Sequence, residues 1–300
     1  MQSHDRRSFL KATAAAAAGF AVRGSAEAAP TGMRLGLIIG VGKDPDAAIA
    51  KVHSLGLPTC QASLENFSPE MVQRLRAALD KYGVEATAIN SSGPGPLVYD
   101  FYQGPLTIGV IPRKYRRQRI DQLKRASDFA KLCGIPAVHT HFGFIPEDPN
   151  DPLYAEAVEA CREVVSHLKG NNQMTLYETG QETPITLLRL IEDVGLENQG
   201  VNLDTANLIL YGKANPVDAL DVIGTRVRGM HAKDGLYSAD PRKLGEEVPI
   251  GQGKVDFPRL FRRLKELNYA GPVTIEREIS GPQQMEDIKR SITYLQKLIA

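Results

Sequence analysis

Cysteine is scarce in this chain: Cys60, Cys133 and Cys161 are the three among 300 residues. Their odd number and wide spacing exclude a disulfide framework and a cysteine-based metal site, so all three read as small buried hydrophobes. Net charge is equally scarce, at +1. That balance argues against a nucleic-acid partner, which a basic face would serve. The run PRKYRRQR (112–119) is the local exception, and it reads as the solvated start of a helix rather than a phosphate-binding patch. Long apolar runs are missing too. The alanine-rich stretch near the N-terminus is too short and too mildly hydrophobic to be read as a membrane span. A glycine-rich phosphate loop is also lacking, because IIGVGKDPD does not complete the dinucleotide-binding fingerprint.

What is present is an ordinary globular composition, 42% hydrophobic and 24% charged, with ample core. The first 28 residues stand apart from it. Arg6 and Arg7 precede Phe9-Leu10-Lys11 and an alanine stretch, and Ala26-Glu27-Ala28 offers a small-residue cleavage site. This segment resembles a twin-arginine export signal, with Asp5 where serine or threonine is more usual. The resemblance implies a mature chain of residues 29–300, periplasmic or secreted, with any metal loaded before transport.

From residue 33 onward, short apolar runs alternate with amphipathic ones. Strands are expected at 33–39, 57–63, 84–90, 136–141, 174–178, 200–204, 227–232 and 272–276, each followed by a helical pattern. Eight strand–helix units in one chain predict an α/β fold, a single-domain (β/α)8 TIM barrel. A doubly wound open sheet is the runner-up, and it lacks its phosphate loop here.

The stretch TLYETGQETP (175–184) carries two acids four apart, Glu178 and Glu182. That spacing suits one helical face. Gly180 and the Thr183-Pro184 helix start argue instead that Glu178 ends a strand and Glu182 sits in the loop. In a barrel the strand ends converge on one face. Reading those ends gives Glu178, Asp204, His231 and Glu276, on strands five to eight. Individually, Asp204 fits a helix cap, His231 a core histidine and Glu276 an ion pair with Arg277. Together, three carboxylates and an imidazole make an oxygen-rich site for one divalent ion, with mixed character suiting Mn²⁺, Co²⁺ or Mg²⁺. Lys233, two residues after His231, points to the same face. It reads either as an oxyanion stabiliser or as a surface lysine paired with Asp234.

The pieces LYETGQET, VNLDTANLILYG, MHAKDG, VPIGQGKVDF and GPVTIERE resemble the xylose-isomerase-like TIM barrels, the sugar phosphate isomerase/epimerase superfamily, over essentially all of the mature chain. The resemblance implies that Glu178, Asp204, His231 and Glu276 bind one divalent metal. It also implies that Glu178 and Glu276 double as acid and base, moving a proton next to a metal-held carbonyl through an enediolate. Glu182, Asn207 and His141 are the expected substrate contacts, His139 being read equally well as core. Two positions depart from the ketose 3-epimerase branch: Asn207 stands where that branch has histidine, and Tyr237 where it has arginine. These argue against 3-epimerisation of free hexoses. The expected substrate is a small sugar or cyclitol, the expected activity isomerisation or epimerisation, and the alternatives are β-elimination from a keto-glycoside or inosose, or a non-catalytic sugar-binding barrel. An endonuclease IV-like trinuclear site is excluded, because His53 and His167 fall inside helical patterns. Oligomeric state has no signal in the sequence.

Overall fold

A computed structural model describes residues 32–300, so the export-signal reading of residues 1–28 lies outside the described residues. In chain order the strands are β1 (Arg34–Gly40), β2 (Thr59–Ser63), β3 (Glu85–Asn90), β4 (Ala137–Thr140), β5 (Met174–Glu178), β6 (Gln199–Asp204), β7 (Val227–Ala232), β8 (Asp234–Leu236), β9 (Glu246–Val248) and β10 (Pro272–Ile275). Eight of them close into a barrel in the order β1-β10-β7-β6-β5-β4-β3-β2, and β8 pairs with β9 as a separate ribbon. Every barrel pair is parallel. This is the (β/α)8 barrel the alternation predicts.

The helices are α1 (Pro45–Ser54), α2 (Pro69–Tyr82), α3 (Gly104–Thr107), α4 (Arg113–Cys133), α5 (Pro152–Gly170), α6 (Pro184–Val194), α7 (Thr205–Leu210), α8 (Pro216–Ile223), α9 (Phe257–Glu266) and α10 (Pro282–Ile299). Their starts follow capping chemistry. Ser68 Oγ accepts the Met71 N–H at the head of α2, with proline at the first helical position. Thr183 precedes Pro184 at the head of α6 but makes no side-chain cap; its hydroxyl donates to Glu147 Oε2 at 3.0 Å.

Two apolar layers hold the barrel. The larger lies between strands and helices and includes Leu75, Ile89, Leu123, Val164, Leu190, Phe261 and Leu295. A smaller one, Ala88, Ala137 and Leu176, is separate from it. Leu176 and Glu178 are two apart on β5 and so share a face. The small cluster is therefore the floor of the lumen, and the site stands above it.

Three sequence expectations are corrected. Arg119, in the run read as solvated, is buried and donates to the carbonyls of Pro94, Pro96, Thr107 and Gly109. It thereby ties down the loop after β3, since buried carbonyls need partners. Cys133 is half-buried near a helix end, while Cys60 and Cys161 are buried as expected; all three are free. Between the last two barrel strands the chain also forms the β8–β9 ribbon, which is not among the eight strands expected from the sequence.

Candidate metal centre

The four strand-end residues meet. Glu178 and Asp204 are the last residues of β5 and β6, His231 stands beside Asp204 in register, and Glu276 follows β10. His231 Nδ1 lies 3.0 Å from Glu178 Oε1, 3.1 Å from Glu276 Oε2 and 3.5 Å from Asp204 Oδ2. One ligand atom from each of the four residues lies within 4.8 Å of the others. Asp204 and His231 are wholly buried, yet Asp204 Oδ2 and His231 Nδ1 have no hydrogen-bond partner. Buried polar atoms left unpaired are costly. A divalent cation, with ligand distances of about 2.0–2.6 Å, would satisfy both atoms at once. The donor set therefore fits such an ion.

Electrostatics point the same way. Burial disfavours a charged imidazole, but Glu276 and Glu178 hold His231 well above its ordinary pKa. Burial likewise opposes ionisation of Glu178 and Glu276, yet the basic side chains beside them hold both carboxyls below the usual range: His141 and His231 for Glu178, Lys233 and His231 for Glu276. Burial pushes Asp204 up to about 6, with Lys233 opposing.

A further chain of side chains fixes the histidine. His231 Nε2 is 2.6 Å from Gln61 Oε1, and Gln61 Nε2 donates to Asn202 Oδ1 at 3.0 Å. With Gln61 accepting, Nε2 carries a proton, so Nδ1 is the nitrogen aimed at the carboxylates, and it would give up its own proton to a bound cation. Asn202 can reach across because β7 has glycine opposite: a Cβ on Gly229 would lie 2.6 Å from Asn202 Oδ1.

Lys233 is not a surface lysine. It is 1% exposed, and its Nζ donates to Glu278 Oε2 at 2.7 Å and to Glu276 Oε2 and Asn207 Oδ1 at 3.3 Å each. Asp234 instead accepts backbone N–H groups of Gly235, Gly251, Gly253 and Val255. That fixes the PIGQGKV loop beside the ribbon. Nor does Glu276 pair with Arg277, whose guanidinium binds Asp287 and Glu247. Asp204 does cap a helix as well, since its Oδ1 accepts the Asn207 N–H at 2.7 Å.

Of the expected substrate contacts, Asn207 adjoins the quartet through Lys233, and His141 Nε2 is 3.5 Å from Glu178 Oε1. His139 is fully buried, its Nδ1 3.3 Å from Asn90 Nδ2. Glu182 is buried in the loop after β5, where its charged neighbours are Lys213 and Glu147 rather than the quartet. Gln61, Asn202 and Glu278 carried no sequence signal. Only their positions relative to the quartet, on β2, on β6 and two residues after Glu276, could have found them.

The xylose isomerase-like TIM barrel family model matches residues 49–298, and the chain belongs to that family. An uncharacterized protein of Methanocaldococcus jannaschii is 24% identical over 220 residues, 70% of each chain. A xylose isomerase domain protein from Planctomyces limnophilus is 34% identical, with TM-score 0.84 over 89% of this chain and 97% of that one. Solved sugar epimerases share the fold. Among them, the 3-keto-D-glucoside 4-epimerase of E. coli aligns at TM-score 0.65 and 14% identity over 88% of this chain and 99% of its own. A family barrel from Mycobacterium smegmatis in complex with magnesium aligns at TM-score 0.63 and 20% identity, covering 85% and 89%.

Two predictions follow from these environments. Replacing Gln61 by leucine removes the acceptor that orients His231, and Mn²⁺ affinity falls about 10–100-fold in titration calorimetry; unchanged affinity would contradict the role. Burial pushes the Glu182 carboxyl up to about 8. The folded chain then keeps a proton that the unfolded chain releases above about pH 4.3. This contribution is complete below that pH and is lost as pH rises towards 8, at about 1.4 kcal/mol per pH unit. Thermal unfolding of Glu182→Gln should gain on the parent steadily from pH 5 to pH 8, and a constant difference across that range would refute the assignment.

Proposed function

We propose that this chain is a metal-dependent sugar or cyclitol isomerase/epimerase. The observation that carries the reading is the convergence of Glu178, Asp204 and Glu276 on the unpartnered Nδ1 of His231. These four residues would hold the ion, with Mg²⁺, Mn²⁺ and Co²⁺ as candidates; the magnesium complex of a same-fold protein supports the first. A divalent ion bound there supplies Lewis-acid polarisation of a carbonyl and its neighbouring hydroxyl.

The remaining steps belong to the chain. Glu178 and Glu276 reach the centre from β5 and from the end of β10, which β6 and β7 separate in the barrel. Both are held ionised, as a base must be. One carboxylate takes the proton from the carbon beside the carbonyl and becomes the acid; the other, after picking up a proton from solvent, returns it on the opposite face and is left ionised. The Lys233 ammonium, 3.3 Å from Glu276, stabilises the oxyanion that develops between these steps. Its N–H groups also support a second reading, β-elimination, in which the same carbanion expels a leaving group that Lys233 protonates. The Arg6-Arg7 segment supports export to the periplasm or beyond as part of the proposal.

Glu276→Gln keeps the side-chain shape and removes the base. In D₂O with Mn²⁺ and a panel of keto-sugars and inososes, the parent should incorporate deuterium beside the carbonyl and the variant should lose at least about 10²-fold of that rate. Incorporation without loss of a substituent identifies epimerisation, and loss of the substituent identifies elimination. Undiminished exchange in Glu276→Gln would sink the assigned role.

A further inference from the structure

We propose that Thr179 and Thr205 are positioning residues of the ion site. Each hydroxyl acts as a rung to the next strand, and together they set the spacing of Glu178, Asp204 and His231 before an ion arrives. The inference rests on the ion-binding part of the reading above and not on the choice of reaction.

Each threonine directly follows a member of the quartet, Glu178 at the end of β5 and Asp204 at the end of β6. Both are wholly buried. Thr179 Oγ1 accepts the Asp204 N–H at 2.9 Å and donates to the Asp204 carbonyl at 3.0 Å. Thr205 repeats the grip one strand further on. Its Oγ1 accepts the Lys233 N–H at 3.3 Å and donates to the Lys233 carbonyl at 2.6 Å, with the His231 carbonyl 3.2 Å away. A hydroxyl can do this because it donates and accepts at once. The β-branched side chain has few rotamers, so the hydroxyl stays where the grip needs it.

These rungs stand where the sheet itself runs out. The β5–β6 pairing ends at Glu178 opposite Asn202, and the β6–β7 pairing ends at Asp204 opposite His231. Asp204 lies beyond the first pairing and Lys233 beyond the second, so the threonines hold residues that the regular ladder no longer reaches. Other strand ends lack the device. Ser63, at the end of β2, bonds the Asn90 side chain, and Thr140, at the end of β4, only the carbonyl of its neighbour His141. The two grips therefore fall on the part of the rim that carries the quartet and Lys233. Ligand atoms there lie within 4.8 Å of one another, and an ion needs them placed to a fraction of an ångström.

Mn²⁺ binding to the full chain tests this, by titration calorimetry and by the EPR spectrum of the bound ion, well below the Tm of each variant. Thr179→Val and Thr205→Val keep the shape and remove the rung, and each should weaken Mn²⁺ about 10–100-fold and broaden its spectrum. Thr179→Ser and Thr205→Ser keep the hydroxyl and should recover most of the parent's affinity. In the ion-free parent, which needs no variant to fold, the Asp204 and Lys233 amides should exchange with D₂O as slowly as those inside β6. A threonine that only stabilises the fold would lower Tm on valine substitution and leave affinity and spectrum unchanged, which would overturn its role. Serine variants as weak as the valine ones, fast exchange of those two amides, or a parent that binds no Mn²⁺ would overturn it too. Threonine-dependent Mn²⁺ binding with no deuterium exchange into any substrate would retain the rungs and remove the epimerase reading. Substrate exchange in the parent, with Mn²⁺ affinity indifferent to both valine substitutions, would do the reverse.

Discussion

Three carboxylates converge on one imidazole nitrogen at the mouth of this barrel, in a place with almost no water to screen them. Two like charges about 4 Å apart cost about 4 kcal/mol at an effective dielectric of 20, so three acids cannot remain ionised there without cations. His231 and Lys233 supply part of that balance, and the unpartnered Asp204 Oδ2 and His231 Nδ1 mark what is still missing. A divalent ion resolves the conflict with the donors already in place.

Much of the surrounding architecture serves that convergence. Parallel closure brings strand ends distant in sequence onto one rim. Gly229 makes room for Asn202, Asn202 holds Gln61, and Gln61 turns His231 so that its Nδ1 faces the carboxylates. Asp234 gathers four backbone N–H groups and anchors the loop beside the ribbon, while Arg277 ties that ribbon to α10 through Glu247 and Asp287. Across the same rim, Arg119 pins the loop that carries Tyr99 and Phe101.

The barrel and its quartet were legible in the sequence for a physical reason. An acid or imidazole at the end of an apolar strand breaks the local pattern, and four such breaks at successive strand ends mark one point in a barrel. Residues that obey the local pattern were hidden. Gln61 and Asn202 read as ordinary polar positions in strands, and Thr179 and Thr205 as ordinary residues just past strand ends. Arg119 was masked by the basic run around it, although its helical neighbours Arg113 and Arg117 are solvated as that run suggests. Helix α7 and the ribbon are too short to show periodicity, and only their packing defines them. The Lys233 partners were misassigned because Asp234 is adjacent in sequence but spends its carboxylate on backbone.

The central claim is that the quartet is a single-ion site. Native mass spectrometry of the chain supplied with both Mn²⁺ and Co²⁺ tests it directly. The account requires one tightly bound divalent ion in the parent and none in Asp204→Ala. A parent that binds no ion would contradict it and leave a sugar-binding barrel as the better description.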